Sequence, residues 1–403
     1  MAARGTAANG PHVLRQMNVA AVLTALREAE SATTSVSGLA TATGLSRPAV
    51  TRALGGLRDR GLVEFTSPNS SPQPGRPAQY ARFRAEAGHV AGIDIGPHKV
   101  LVAIADLGGR VLTVHRATVD AGADGLRLFG TVRAALTTAV AEAGVPLSAL
   151  WAVTVGTPGI VDRERGEVLL APSIPGWAGL PAVTRLRDWL HCPVSIDNDV
   201  NLAVLAERRP EAGAENLVFV QWGRRIGCGI IIGGRPYRGH SAAAGELGFI
   251  DLASGPDAPP GPRAPDGTGP FERLAGAAAI HRLALEAGAP AGDEDDIAPL
   301  FEAAAAGDRA ATEVVERVAA RFARGLAALL LVLDPDRVVI GGGVSRAGDV
   351  LLEPVRRHLR RHALVPVAVH PSALGERAVA LGAVRHSLDV VEDRIQGTPH
   401  DGT

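Results

Sequence analysis

Near the start of the chain apolar positions recur three and four apart, and further on they gather into short runs. The pattern therefore predicts helices first and sheets after. From Asn18 to Glu30, Val19, Val22, Leu23 and Leu26 share one helix face. Leu39 and Ala40 mark a short second helix, closed by Gly44, a residue able to take positive φ. Leu45 plugs the core, Ser46 caps a third helix, and Pro48 sits in its first turn, where a missing N–H costs nothing. That helix runs to about Arg60, with Val50, Leu54 and Leu57 inward and Arg47, Thr51, Arg52 and Arg58 outward. Gly61 to Phe65 begins a strand that returns through Gln79 to Phe83, and Ser67 to Pro77 is the tip of the hairpin.

The apolar runs follow. Val90 to Gly96, Val100 to Asp106 and Arg110 to His115 read as a three-strand meander. A helix from about Asp124 to Ala143 and a strand from Trp151 to Val155 complete a ribonuclease-H-like half. Later, Asp308 to Leu333 reads as a long helix and Arg337 to Ile340 as a strand feeding Gly341, Gly342 and Gly343. Val379 to Leu388 is a final helix, and Asp389 to Thr403 reads as a disordered tail.

Composition narrows the class. Hydrophobic residues make up 46% of 403 but aromatics only 3%, so the core is built of Ala, Val and Leu. The longest apolar run, Leu326 to Leu333, falls short of the ~18 residues that span a bilayer. With no secretory pattern at the start and only Cys192 and Cys228, the expectation is a reduced, cytoplasmic protein without membrane contact. The first 86 residues are net basic and the remainder net acidic, which gives the front alone a polyanion partner. Lys99 is the sole lysine, which reads as coding bias.

Three helices, a glycine turn and a basic wing form a winged helix-turn-helix, and its partner is a double-stranded DNA operator. A recognition helix sets its first residues against base edges, so Ser46, Arg47, Ala49, Thr51 and Arg52 are the DNA-binding candidates. Arg76, stiffened by Pro77, is placed to enter a minor groove from the wing.

The order of motifs behind this unit resembles the ROK family (repressors, open reading frames and kinases) over about residues 15 to 390. The matching elements are Asp94-Ile95-Gly96, Gly156-Thr157-Pro158-Gly159 through Asp162, Asp197-Asn198-Asp199 with Asn201 and Glu207, Gly245-Glu246 with Gly248, and Gly341 to Gly343. The resemblance implies an α/β chain: an actin-like (ribonuclease H-like), two-lobed ROK domain preceded by the winged helix-turn-helix. On that plan residues 1–86 bind DNA, 87–200 with helix 376–390 form the small lobe, 201–375 the large lobe, and 391–403 the tail. It also implies a homodimer or homotetramer. In a kinase of this plan Asp199 is the general base on a sugar hydroxyl. Asn198, Asp199, Glu246, Glu272 and Gly159 bind the ligand, while Asp94, Gly96, Lys99, Gly227 and Gly342 serve nucleotide and phosphate.

Three departures from the family pattern matter. The first phosphate hairpin reads Asp94-Ile95-Gly96-Pro97-His98-Lys99, and proline has no N–H to offer a phosphate oxygen. The second reads Gly223-Arg224-Arg225-Ile226-Gly227-Cys228-Gly229, with two large side chains where small residues let backbone cradle phosphate. These arginines either clamp an anion or face solvent. Phe249 stands where zinc-bearing relatives carry His, and the following loop, 257–266, holds no cysteine, so no zinc or other metal is expected. A mobile loop is expected from Gly255 to Gly269. The resulting expectation is a ligand-responsive DNA-binding transcriptional regulator, a repressor of sugar metabolism, whose effector is a sugar or sugar phosphate and which needs no cofactor. The alternative is an active sugar kinase using ATP and Mg²⁺ and carrying a DNA-binding domain.

Overall fold

Short polar side chains start two helices of the amino-terminal unit, and a glycine ends one of them. The computed structural model describes residues 11–29, 31, 33–66, 79–120, 122–208, 215–252, 267–293 and 296–396. α1 spans Pro11–Arg27, β1 Thr34–Ser35, α2 Val36–Thr43, α3 Arg47–Asp59, β2 Val63–Thr66 and β3 Tyr80–Phe83. Ser35 Oγ accepts from Gly38 N–H at 3.0 Å to cap α2, and Gly44 ends it at φ 68°. Ser46 caps α3 through Ala49 N–H. Val22, Leu39, Val50, Leu54 and Leu57 are fully buried together, over a three-stranded sheet in the order β1-β3-β2. α1 begins at Pro11 rather than Asn18 and stops at Arg27 rather than Glu30. Its first turns carry Val13, Leu14 and Met17 on the exposed side, so they add helix without adding a core stripe. The wing tip, with Arg76, lies outside the described residues.

Two five-stranded sheets with one topology follow. The first comprises β4 His89–Ile95, β5 Lys99–Asp106, β6 Val111–Thr118, β7 Leu150–Thr157 and β10 Val194–Asn198, in the order β6-β5-β4-β7-β10. Between them lie α4 Gly125–Glu142, the small hairpin β8 Ile160–Asp162 and β9 Glu167–Leu170, and α5 Ala182–Leu190. α6, Asp199–Glu207, leads out of this sheet. The second comprises β11 Leu217–Trp222, β12 Ile226–Ile232, β13 Arg235–Tyr237, β14 Arg337–Gly341 and β15 Ala368–Pro371, in the order β13-β12-β11-β14-β15. Its helices are α7 Pro270–Ala275, α8 Ala277–Glu286, α9 Ala298–Ala305, α10 Arg309–Leu333 and α11 Asp349–Leu359. In each sheet the first three strands pair antiparallel and the last two join in parallel. Two such lobes make the actin-like plan. Among the described residues no helix is long and apolar enough to cross a membrane.

α12, Ala378–Gln396, closes the fold and corrects the expected tail: residues 389–396 are helix. They stay ordered because Val390 and Val391 bury against the cluster that holds Val22, Leu23 and Leu26 of α1, and Glu392 pairs with Arg27. Residues 397–403 lie outside the described residues, as do 255–266 of the loop expected to be mobile. Every residue of β4 is buried. Ala91, Ile93 and Ile95 face α4, while Gly92 lies under α12, where an added Cβ would fall 2.1 Å from the Ala380 carbonyl oxygen.

The α6–α12 contact is closer still. A Cβ at Gly382 would lie 1.8 Å from the Leu202 carbonyl oxygen, whereas one at Gly130, on the outside of α4, meets nothing within 4 Å. Helix propensity favours alanine over glycine by about 1 kcal/mol at either site. Gly130→Ala is thus expected to stabilise by about that amount in a denaturant titration. Gly382→Ala must push α6 and α12 apart, and overpacking of about 1–3 kcal/mol or more reverses the sign.

Candidate functional site

At the end of β10 the chain turns directly into α6, and Asn198 makes the turn. Its Oδ1 accepts from Val200 N–H at 3.0 Å and Asn201 N–H at 3.3 Å, which caps the helix. Its Nδ2 donates to the Gly159 carbonyl at 2.9 Å. Gly159 sits at φ 102°, and a Cβ there would fall 1.9 Å from the Leu170 carbonyl oxygen, so only glycine fits. The two residues are therefore brought together.

Asp199 follows as the first residue of α6, half-buried, with Oδ1 accepting from Val200 N–H at 2.9 Å. Burial, and then the charges of Asp94 and Glu246, push its carboxyl up to about 7. Asp94, near the end of β4, is raised to about 6 by burial, against the pull of Lys99 Nζ at 3.4 Å. Glu246 is raised by burial and by Glu272. Asp94 belongs to the first sheet and Glu246 to the second lobe, so Asp199 lies where the two lobes meet. Lys99 is shared between Asp94 and Glu376, each at 3.4 Å.

Glu272 is held by the protein itself. Its Oε1 accepts from Ile226 N–H at 2.9 Å, and its Oε2 from Gly269 N–H at 2.7 Å and Arg225 Nη1 at 3.1 Å. Three protein donors occupy this buried carboxylate, which pins the second hairpin to the start of α7. Arg225 is also bonded to Thr268 Oγ1 at 3.2 Å, so its guanidinium is engaged by the protein while its side chain stays 37% exposed.

The remaining phosphate candidates have structural duties too. Gly96 N–H donates to the Lys99 carbonyl at 2.8 Å, closing a turn whose exposed tip is Pro97 and His98. Gly342, at φ 87°, would place a Cβ 2.4 Å from the Trp222 carbonyl oxygen, so bare backbone is needed for packing alone. Gly227 lies against Val200 of α6. A turn that spends its glycine N–H internally and has none at Pro97 offers fewer backbone donors to a phosphate oxygen.

Sequence reasoning placed Asp197 in a motif but gave it no role. It is 2% exposed, and Asn198 N–H donates to its Oδ1 at 2.8 Å. Arg238 Nη2 reaches its Oδ2 at 2.6 Å and Arg163 Nε at 3.3 Å. A buried acid in an apolar strand demands a cationic partner, and that was the available signal.

At the other end of the molecule, Ser46, Arg47, Thr51 and Arg52 are exposed on the first turns of α3 and Ala49 is half-exposed. Thr51 Oγ1 donates to the Arg47 carbonyl at 2.9 Å. Several basic residues of this unit are already neutralised: Arg82 by Glu64 and Glu86, Arg84 by Glu86, Arg27 by Glu392. Arg58 pairs with Asp59 and lies over the Phe65 ring. The guanidinium groups of Arg47 and Arg52 have no such partner among the described residues.

Residues 90–388 match the ROK family profile, and residues 16–72 match that of the MarR family. A glucokinase from Halalkalibacterium halodurans is 31% identical over 69% of this chain and 87% of its own length. The xylose repressor of Caldicellulosiruptor bescii is 26% identical over 77% of this chain and 80% of its own. Among solved structures, a ROK family transcriptional regulator, described as a homolog of the E. coli MLC protein, superposes with TM-score 0.77. It is 21% identical and covers 95% of this chain and 98% of its own.

Proposed function

This chain belongs to the ROK family, and from that premise we propose that it is a transcriptional repressor whose winged helix binds operator DNA and whose cleft binds a sugar-like effector. The uncommitted Arg47 and Arg52 at the exposed start of α3 carry the reading, because charges left unpaired at the reading end of a recognition helix suit base edges and phosphates. The xylose repressor and the MLC homolog among its relatives support it. The small-molecule side rests on Asn198, Gly159, Asp199 and Glu246. Polar groups gathered in a cleft discriminate hydroxylated ligands, since a missing hydroxyl leaves one of them unpaired. A homodimer reading a palindromic operator, with half-sites one or two helical turns apart, fits the winged-helix plan.

Mobility shift with fragments from around the chain's own gene tests the proposal, with glucose and xylose as the first effectors. A retarded complex that resists nonspecific competitor DNA and dissolves with one sugar is the expected result. Binding that is weak and indifferent to sequence refutes it.

One observation favours a kinase: a carboxyl raised to about 7 is poised as a general base. Against it stand Pro97 and the Glu272–Arg225 lock. Losing a single transition-state donor costs roughly 2.7–4 kcal/mol, a hundredfold or more in rate. Incubation with ATP, Mg²⁺ and hexoses is expected to yield no sugar phosphate. Turnover that disappears in Asp199→Ala would instead establish the enzyme.

A further inference from the structure

Asp197 is the point at which three regions of the molecule meet. Arg238, just past β13 in the second lobe, grips it with Nε at 3.0 Å and Nη2 at 2.6 Å. Arg163, just past β8 in the first lobe, reaches it with Nε at 3.3 Å. The same Arg163 turns Nη2 to Nε2 of His386 on α12, at 3.0 Å. A guanidinium only donates, so Nε2 accepts and the imidazole proton sits on Nδ1, directed at Thr154 Oγ1 3.1 Å away. Thr154 then donates to Ser387 Oγ at 2.7 Å, and Ser387 to the Ala91 carbonyl at 3.1 Å. Along this chain His386, Thr154 and Ser387 each make one donor and one acceptor bond, while Arg163 only donates and Asp197 only accepts. His386 is 5% exposed, and Thr154 and Ser387 are fully buried.

This chain of bonds ends on the helix that also holds the DNA-binding unit. The first half of α12 packs on Gly92, Gly156 and Leu202, beneath the cleft. Its second half buries Leu388, Val390 and Val391 beside Val22, Leu23 and Leu26 of α1. Glu392 pairs with Arg27, and the Ile395 carbonyl accepts from Arg60 at the end of α3. At the cleft end, Asp197 also holds the N–H of Asn198, and Arg238 opens the loop that leads to Glu246, with Ala244 N–H bonded to its carbonyl at 3.1 Å.

We propose that the Arg238–Asp197–Arg163–His386 chain couples the cleft to the DNA-binding unit by setting the position of α12. A ligand that draws Glu246 toward Asn198 moves the loop bearing Arg238, and the displacement passes through Asp197 and Arg163 to His386. Arg163 and His386 are positioning residues, touching neither ligand nor DNA. The inference rests on the reading of the cleft as an effector site.

Its test needs neither operator nor effector, so the coupling can fail while the repressor reading stands, and the converse. Amide hydrogen exchange is followed by mass spectrometry on the full chain. Arg163→Gln is expected to speed exchange of α1 by about two- to thirtyfold while α10, in the far lobe, keeps its protection. His386→Gln, which still offers Arg163 an acceptor, stays nearer the wild type than His386→Leu, and provides the folded variant if Arg163→Gln is unstable. Coupling is reciprocal, so Arg27→Ala must loosen α6. Unchanged exchange on α1 in these variants overturns the proposal, and so does equal acceleration on α10, which would mean general destabilisation.

Discussion

Asp199→Asn is expected to melt at a higher temperature than the wild-type protein at pH 8 and to lose that advantage near pH 4. The folded chain holds this carboxyl at about 7, because it is buried and faces the charges of Asp94 and Glu246. The unfolded chain releases the proton near 3.9. Between those values the folded state binds a proton that the unfolded state has lost, so stability falls as the pH climbs from about 4 to about 7. Above that window the full cost of the buried charge is present, up to about 4 kcal/mol for a shift of this size. Asparagine keeps the oxygen that accepts from Val200 N–H but cannot ionise. It forfeits a negative charge at the first residue of α6, a helix-dipole term of only about 0.3–1 kcal/mol. Relief of the buried charge therefore wins. Asp94, raised to about 6, adds a second and smaller decline between about 4 and 6. Melting curves of the two proteins recorded from pH 4 to 8 decide the matter: if they coincide at pH 8, the Asp199 charge is not costly and the crowding of carboxyls has been misread. The same substitution is expected to abolish calorimetric binding of any sugar the wild type binds.

What the sequence disclosed and what it hid divide along one line: the distance over which a residue's role is decided. Ser46, Gly44 and Pro48 could be read because a cap or a stop involves neighbours within one turn. The Asn198–Asp199 turn could be read likewise, since it is a strand running straight into a helix. Glu272 shows the limit. Within its motif it suggested a ligand contact, but its carboxylate is taken by Ile226 N–H and Arg225, remote in sequence. The relay through Arg163 and His386 was invisible for the same reason, since no periodicity records that a loop arginine lies over a histidine of the last helix. α12 was cut short at Leu388 because Glu392, Asp393 and Arg394 look like a tail until α1 is seen packed alongside. The phosphate hairpins fell between these cases: Pro97 showed locally what was missing, but not that Arg225 had been recruited elsewhere.

DNA binding offers the other large effect, and here burial and pairing select among the arginines. Arg82 and Arg84 are spent on Glu64 and Glu86, and Arg58 on Asp59 and Phe65. Arg47 is exposed at the first position of α3, with its guanidinium unpaired among the described residues. A bidentate arginine–base contact is worth about 1–3 kcal/mol of discrimination, and the proposed two-fold dimer would present it twice. Arg47→Ala is accordingly expected to weaken operator binding by roughly 30-fold to 10⁴-fold at constant salt. Its melting temperature stays put, because the side chain buries nothing. Arg52→Ala follows with a smaller loss, and its mark is a salt dependence reduced by about one unit per contact if it meets phosphate. Arg82→Ala should leave operator affinity nearly unchanged, since its charge is already matched within the head. Fluorescence anisotropy on one labelled operator fragment compares the three. If Arg82→Ala costs more than Arg47→Ala, then the face of α3 is not the reading surface, and the basic excess of the head acts as an undirected field.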